Sequence, residues 1–108
     1  MDFGISEEQE ALRDLARQIL QDRTGSDRLR ELETQGQSFD RALWEELAKA
    51  NLLGTAIEEE SGGMGFGFVE LALLLEEVGR AVAPVPALAT LVMGALPISR
   101  FGTPEQKR

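Results

Sequence analysis

Leu52-Leu53-Gly54-Thr55-Ala56-Ile57-Glu58-Glu59-Glu60-Ser61-Gly62-Gly63-Met64-Gly65-Phe66-Gly67 divides the chain. Before it lie two segments with the apolar spacing of amphipathic helices. After it lie two segments that are far more apolar. The stretch holds five of the eleven glycines and three consecutive acids. A run of this kind is either a connector or a shaped loop with a job. As a phosphate cradle it fails on spacing. A P-loop ends in Lys followed by Ser or Thr, and no Lys occurs between Asn51 and Val78. A dinucleotide fingerprint needs a sixth-position glycine, but counting from Gly63 or Gly65 reaches Phe68 or Glu70. Glu58, Glu59 and Glu60 would also repel a phosphate. The residues read as a turn-rich connector whose glycines permit positive φ and close packing.

Upstream, Ser6 and Gln9 form the two ends of a capping box, with Glu7 and Glu8 suited to a helix N-terminus. Leu12, Leu15, Ala16, Ile19 and Leu20 then recur at i, i+3, i+4, i+7 and i+8, predicting one helix over about 6–23. Its other face, with Glu10, Arg13, Asp14, Arg17 and Gln18, reads as solvated. Residues 25–38 are polar, with a short helical piece from Asp27 to Leu32. Phe39 sits where a hydrophobic staple would pack it on the next helix. Asp40 caps that helix, about 41–51, with Leu43, Trp44, Leu47 and Ala48 inward. Trp44 reads as a core anchor whose truncation to Ala costs roughly 3–5 kcal/mol. Asn51 and Gly54 bracket the helix end.

Downstream, a third helix is expected over about 68–81. Leu71 to Leu75 is apolar all round, which predicts burial on several sides. Glu70, Glu76, Glu77 and Arg80 confine the polar side. Glu76 and Glu77 point about 100° apart on a helix, so they do not converge as an acid/base pair; both read as solvated. From Ala81 to Ser99 there are nineteen residues without a charge. Pro84 and Pro86 break that run, leaving a fourth helix over about 87–100, too short to cross a bilayer. Such a helix must be covered by protein or line an apolar cavity. Its small residues, Ala87, Ala89, Thr90, Gly94 and Ala95, leave room for a neighbour or a ligand. Thr103-Pro104-Glu105-Gln106 is a further helix start that stops within one turn, so the chain reads as cut.

Composition narrows the chemistry. The 108 residues carry a net charge of −8, which disfavours nucleic acid and anionic membrane surfaces. With no Cys, His or Tyr, there is no thiolate, no imidazole base and no Cys- or His-based metal site. Met1-Asp2-Phe3-Gly4 lacks the layout of a signal peptide, and a reducing cytoplasm is the expected setting. The residues alone describe a soluble helical domain with no visible catalytic, cofactor or metal site.

Taken in order, Ser6-Glu7-Glu8-Gln9, Leu43-Trp44-Glu45-Glu46-Leu47-Ala48, Asn51-Leu52-Leu53-Gly54 with Ile57 to Gly65, Glu76-Glu77-Val78-Gly79-Arg80, and Phe101 to Arg108 resemble the N-terminal helical domain of the acyl-CoA dehydrogenase family. The resemblance covers nearly the whole chain. Glu58 stands where the family's "PEEYGGLG" loop has Pro, and Ser61 where it often has an aromatic residue. Gly79 to Pro84 is most similar to actinobacterial members, some of which act on steroid side-chain thioesters.

The resemblance implies an all-α, up-and-down helical bundle over 1–108, with the family's middle β and C-terminal α domains absent. It also implies part of an FAD enzyme that oxidises an acyl-CoA thioester to the 2-enoyl-CoA. In the family the flavin contacts and the Glu base come mainly from the absent domains, so no catalytic or cofactor residue is expected here. What the family places in this portion is a wall of the acyl pocket. Alignment on Leu96-Pro97-Ile98 names Pro86, Ala89, Thr90 and Met93 as substrate-facing. The chain alone is then inactive and retains no FAD. The alternative is a non-catalytic helical subunit that pairs with a flavoprotein partner; a small lipid-binding protein using 81–99 is a weaker third. Exposed apolar surface and self-association through the third or fourth helix are expected.

Overall fold

A computed structural model describes residues 4–108, and Met1, Asp2 and Phe3, read above only for the lack of a leader layout, lie outside it. The described residues are helical, with no strand. Helix α1 spans Glu7–Arg23, α2 Ser26–Thr34, α3 Arg41–Lys49 and α4 Phe68–Arg80. A 3₁₀ turn, Glu59–Ser61, lies in the glycine stretch. After Pro86 the chain runs as a π-helical segment, Leu88–Ala95, and continues as α5, Leu96–Phe101.

The predicted caps form. Ser6 and Gln9 bond reciprocally, at 3.2 Å from Gln9 N to Ser6 Oγ and 2.9 Å from Ser6 N to Gln9 Oε1. Asp40 accepts from Leu43 N at 3.2 Å. Three helices end in the same way. Gly36, Asn51 and Val82 each take positive φ (71°, 62° and 50°) one residue past the helix cap. In each case the next amide reaches back five residues: Gln37 to Leu32, Leu52 to Leu47 and Ala83 to Val78. These are Schellman closures, which satisfy carbonyls the helix leaves open. Gly and Asn suit that conformation; a β-branched Val does not.

Helix α1 packs mainly on α4 and also on α3. Leu12, Ala16 and Leu20 of α1 meet Leu43, Leu47, Leu52, Leu71, Leu74, Ala87 and Leu91 in one buried cluster. Some inward assignments change. Leu15 is 41% exposed and Ala48 is exposed. Trp44 is half-buried at the edge of the core, so the cost expected for a fully enclosed Trp is an upper limit. Phe39 is half-buried, with the Arg41 guanidinium 5.6 Å over its ring. On α4, Leu71, Leu73 and Leu74 are buried as expected, but Phe68 and Val69 are more than half exposed.

Two acids depart from their surface reading or exceed it. Glu77 is 1% exposed, not solvated. Its carboxylate accepts from Arg17 Nε at 3.2 Å and Arg17 Nη2 at 2.7 Å, and lies 3.5 Å from Arg80 Nε. Arg17 therefore leaves the solvated face of α1 to bind α4. Asp40, besides capping α3, takes two hydrogen bonds at 3.1 Å from Arg28 of α2. Each pair clips one helix to the next.

Candidate functional site

Geometry confirms that the glycine stretch is a shaped connector and not a phosphate cradle. Its two limbs pair: Met64 N donates to Gly54 O at 2.9 Å, Gly65 N to Ile57 O at 2.9 Å, and Phe66 N to Thr55 O at 3.0 Å. Ser61 and Gly63 N–H groups both go to Glu58 O, and Gly62 N–H goes to Glu59 O. Gly67 N donates to the Glu70 side chain at 3.0 Å. Every amide from Ser61 to Gly67 is thus spent inside the protein, so none is left to hold a flavin or nucleotide diphosphate. Gly62 and Gly65 take positive φ, 92° and 75°. Gly63 is required for a different reason: a Cβ there would run into the Ile57 carbonyl.

Beyond this loop, Ala83 to Pro86 bring the chain back across the start of α3, where Asp40 N donates to Pro84 O at 2.8 Å. Ala87 and Leu91 anchor the next segment in the core. The expected α-helix over 87–100 is not α throughout, because Leu88–Ala95 bonds in the wider π pattern and Leu96 N–H reaches Leu91 O. Pro86, Ala89, Thr90 and Met93 are all exposed, with Met93 at 70%. They share the outer side of this segment, and none lines the two clefts beside the glycine loop. Leu88, at 58% exposed, joins them.

Two clefts border the glycine loop. One, of about 570 Å³, is lined by Glu58, Glu60, Ser61, Gly62, Pro104, Lys107 and Arg108. A second, of about 230 Å³, sits between the glycine loop and α5, with Ile57, Ala95, Ile98 and Ser99 in its walls. Lys107 Nζ and Glu58 Oε1, 3.4 Å apart, bridge the loop to the chain's last turn. That turn carries the predicted capping box, Thr103 N to Gln106 Oε1 at 2.9 Å and Gln106 N to Thr103 Oγ1 at 3.2 Å. The Glu58–Lys107 pair had no signal in spacing, since its members lie far apart in sequence. Glu77 did have one: it falls three residues after Leu74, on the stripe that α4 buries.

Among the described residues no helix is long and apolar enough to cross a membrane. The acyl-CoA dehydrogenase N-terminal domain, as a sequence family, matches residues 6–108. The chain belongs to the acyl-CoA dehydrogenase family. Acyl-CoA dehydrogenase FadE27 of Mycobacterium tuberculosis is 38% identical over 105 residues, 97% of this chain and 28% of that protein. The solved Tcur3481–Tcur3483 steroid ACAD variant is 51% identical with a TM-score of 0.88, over 94% of this chain and 28% of that one. The ChsE4–ChsE5 complex of Mycobacterium tuberculosis gives 37% identity and a TM-score of 0.92, over 100% and 30%. The chain therefore corresponds to the N-terminal helical domain of acyl-CoA dehydrogenases and spans less than a third of these relatives' length. The family is FAD-dependent. The acyl-CoA dehydrogenase glycine loop in this chain does not itself fit that cofactor's diphosphate, for the reasons of amide use and acidic charge given above.

Proposed function

We propose that this chain forms one wall of the acyl pocket in an FAD-dependent dehydrogenase of acyl-CoA thioesters. Flavin and catalytic base come from protein outside these 108 residues. The observation that carries the reading is the uncharged outer side of the segment after Pro86, on a chain whose whole helical length matches the family's N-terminal domain. On that side Pro86, Ala89, Thr90 and Met93 contact the acyl group. Their role is to exclude water and bound the chain, not to move a proton; none has a group that titrates.

The substrate class we infer is a bulky polycyclic acyl-CoA. Two things support it: the 51% identity to a protein described as a steroid ACAD, and the small side chains of Ala89 and Thr90. We also infer a partner subunit, because the solved relative ChsE4–ChsE5 is a complex of two proteins. A non-catalytic pairing subunit is the second reading, favoured by that complex and by Glu58 in place of the family's Pro. Co-purification separates the two. A catalytic assembly carries flavin and reduces a dye with an acyl-CoA; a purely structural pairing leaves the partner's turnover unchanged when this chain is removed.

The pocket role is tested by Ala89→Trp and Thr90→Trp in the flavin-loaded assembly. The kcat/KM for a polycyclic thioester should fall about tenfold or more, with flavin content unchanged. Equal rates in wild type and both variants would sink it. The purified 108-residue chain alone should bind no FAD, and stoichiometric flavin on it would overturn the division of labour.

A further inference from the structure

Helix α2 is held differently from its neighbours. The main helix contacts are those of α1 with α4 and with α3, and α2 is not part of them. Nine residues of helix do not persist in water unaided. No side chain caps the N-terminus of α2, and Leu32, its one buried residue, lies outside the main core cluster. Among the described residues, the hydrogen bonds that join α2 to another helix are the two from Arg28 to Asp40, each 3.1 Å.

Asp40 carries more than this pair. It is 2% exposed, and its side chain also accepts the Leu43 N–H in the first turn of α3. Its own N–H goes to Pro84 O at 2.8 Å, in the turn 83–87 that leads out of α4. Proline at 84 and 86 removes two donors from that turn. The amides of Val85 and Ala87 are used inside it, on Ala83 O and Val85 O at 2.9 Å each. The turn therefore reaches α3 through Pro84 O, and the group that holds Pro84 O is the residue that Arg28 holds.

We propose that α2 is a strap that opens as a unit, and that Asp40 passes its docking state to the turn 83–87. Docked, the Arg28 guanidinium lets a carboxylate stay buried at the start of α3. Undocked, that carboxylate loses its cation, and a buried lone charge is strongly unfavourable. A cleft of about 210 Å³, with Arg28, Asp40 and Leu43 in its walls, lies beside the pair. Asp40 turns into it to reach water, gives up the Leu43 cap and draws its N–H off Pro84 O. Loosening of α2 and of the turn after α4 is then one event. This coupling belongs to the chain's own fold and holds whether or not the segment after Pro86 meets an acyl group.

Amide hydrogen exchange on the 108-residue chain, resolved to single residues, tests the strap. In wild type, amides of α2 should exchange at least about tenfold faster than those buried in α1 and α4. Arg28→Gln should speed exchange in α2 by a further factor of about ten. Asp40, Leu43 and Ala87 should speed up by a matching factor, with α1 and α4 unchanged. Leu32→Ala undocks α2 without touching the ion pair. It should produce the same pattern, and it decides the matter if Arg28→Gln does not fold. Glu31→Gln removes the other acid beside Arg28, at 3.3 Å, and should leave Asp40 and Ala87 within about twofold of wild type. Faster exchange in α2 with Asp40 and Ala87 unmoved refutes the coupling. Exchange in wild-type α2 as slow as in α1, or loss of α1 and α4 protection in both variants, refutes the strap.

Discussion

Glu77 sits at the α1–α4 contact with both carboxylate oxygens on the Arg17 guanidinium. Those hydrogen bonds hold its carboxyl below the ordinary value of 4.5, against the opposing effect of burial; the charges of Arg17, Arg80 and Arg13 help. Asp40 is lowered in the same way, first by Arg28. A carboxyl depressed in the folded state adds stability above its unfolded pKa and loses it as pH falls through the folded value. Glu77→Gln should therefore cost about 2 kcal/mol at neutral pH, as for a hydrogen-bonded charge. Urea titrations read by Trp44 fluorescence should show the gap closing below about pH 4.5. A gap that does not narrow at all as pH falls through the acid range would mean that the ion pair is not its source. Sequence reading put Glu77 in solvent because a Glu is rarely buried unless paired. Its partner lies sixty residues away, where helical spacing gives no information.

At the scale of elements, three helix ends use one closure with Gly, Asn and Val at the left-handed position. Val82 is 71% exposed, so it gains little packing from being there. Val82→Gly should raise stability by about 1 kcal/mol, the left-handed penalty for a side chain less the entropy cost of Gly. A lower melting midpoint would contradict the assignment. In the glycine loop, Gly63→Ala should destabilise more than Gly62→Ala. The first meets the Ile57 backbone, whereas the second has open space and suffers only its φ of 92°. Equal melting shifts would mean that the limbs do not pair as described. Caps, helix limits and the connector role of this loop were legible because each depends on residues within a few positions. The π segment was not. Its register is set by Ala87, Leu91 and Leu96 all finding the core, a condition on three-dimensional packing and not on local pattern.

Viewed whole, the chain leaves large apolar side chains on its surface: Phe68 and Val69 on α4, Leu88 and Met93 on the π segment, and Ile98 and Phe101 on α5. Surfaces of this kind mark association sites. The isolated chain should self-associate, with light scattering giving a mass that rises with concentration. Phe101→Gln, an exposed position, should reduce that rise without lowering the melting midpoint. A constant monomer mass at high concentration would count against it. Amino-acid order by itself determined the all-helical class, the N-caps, the exclusion of a phosphate loop and the family, because these follow from short-range periodicity and motif succession. Only tertiary structure decided that Arg17 reaches the buried Glu77, that Lys107 reaches Glu58, and which side of the chain Ile98 and Phe101 present. Each of those depends on how distant helices share one limited apolar interior, and the glycine connector decides how they are brought together.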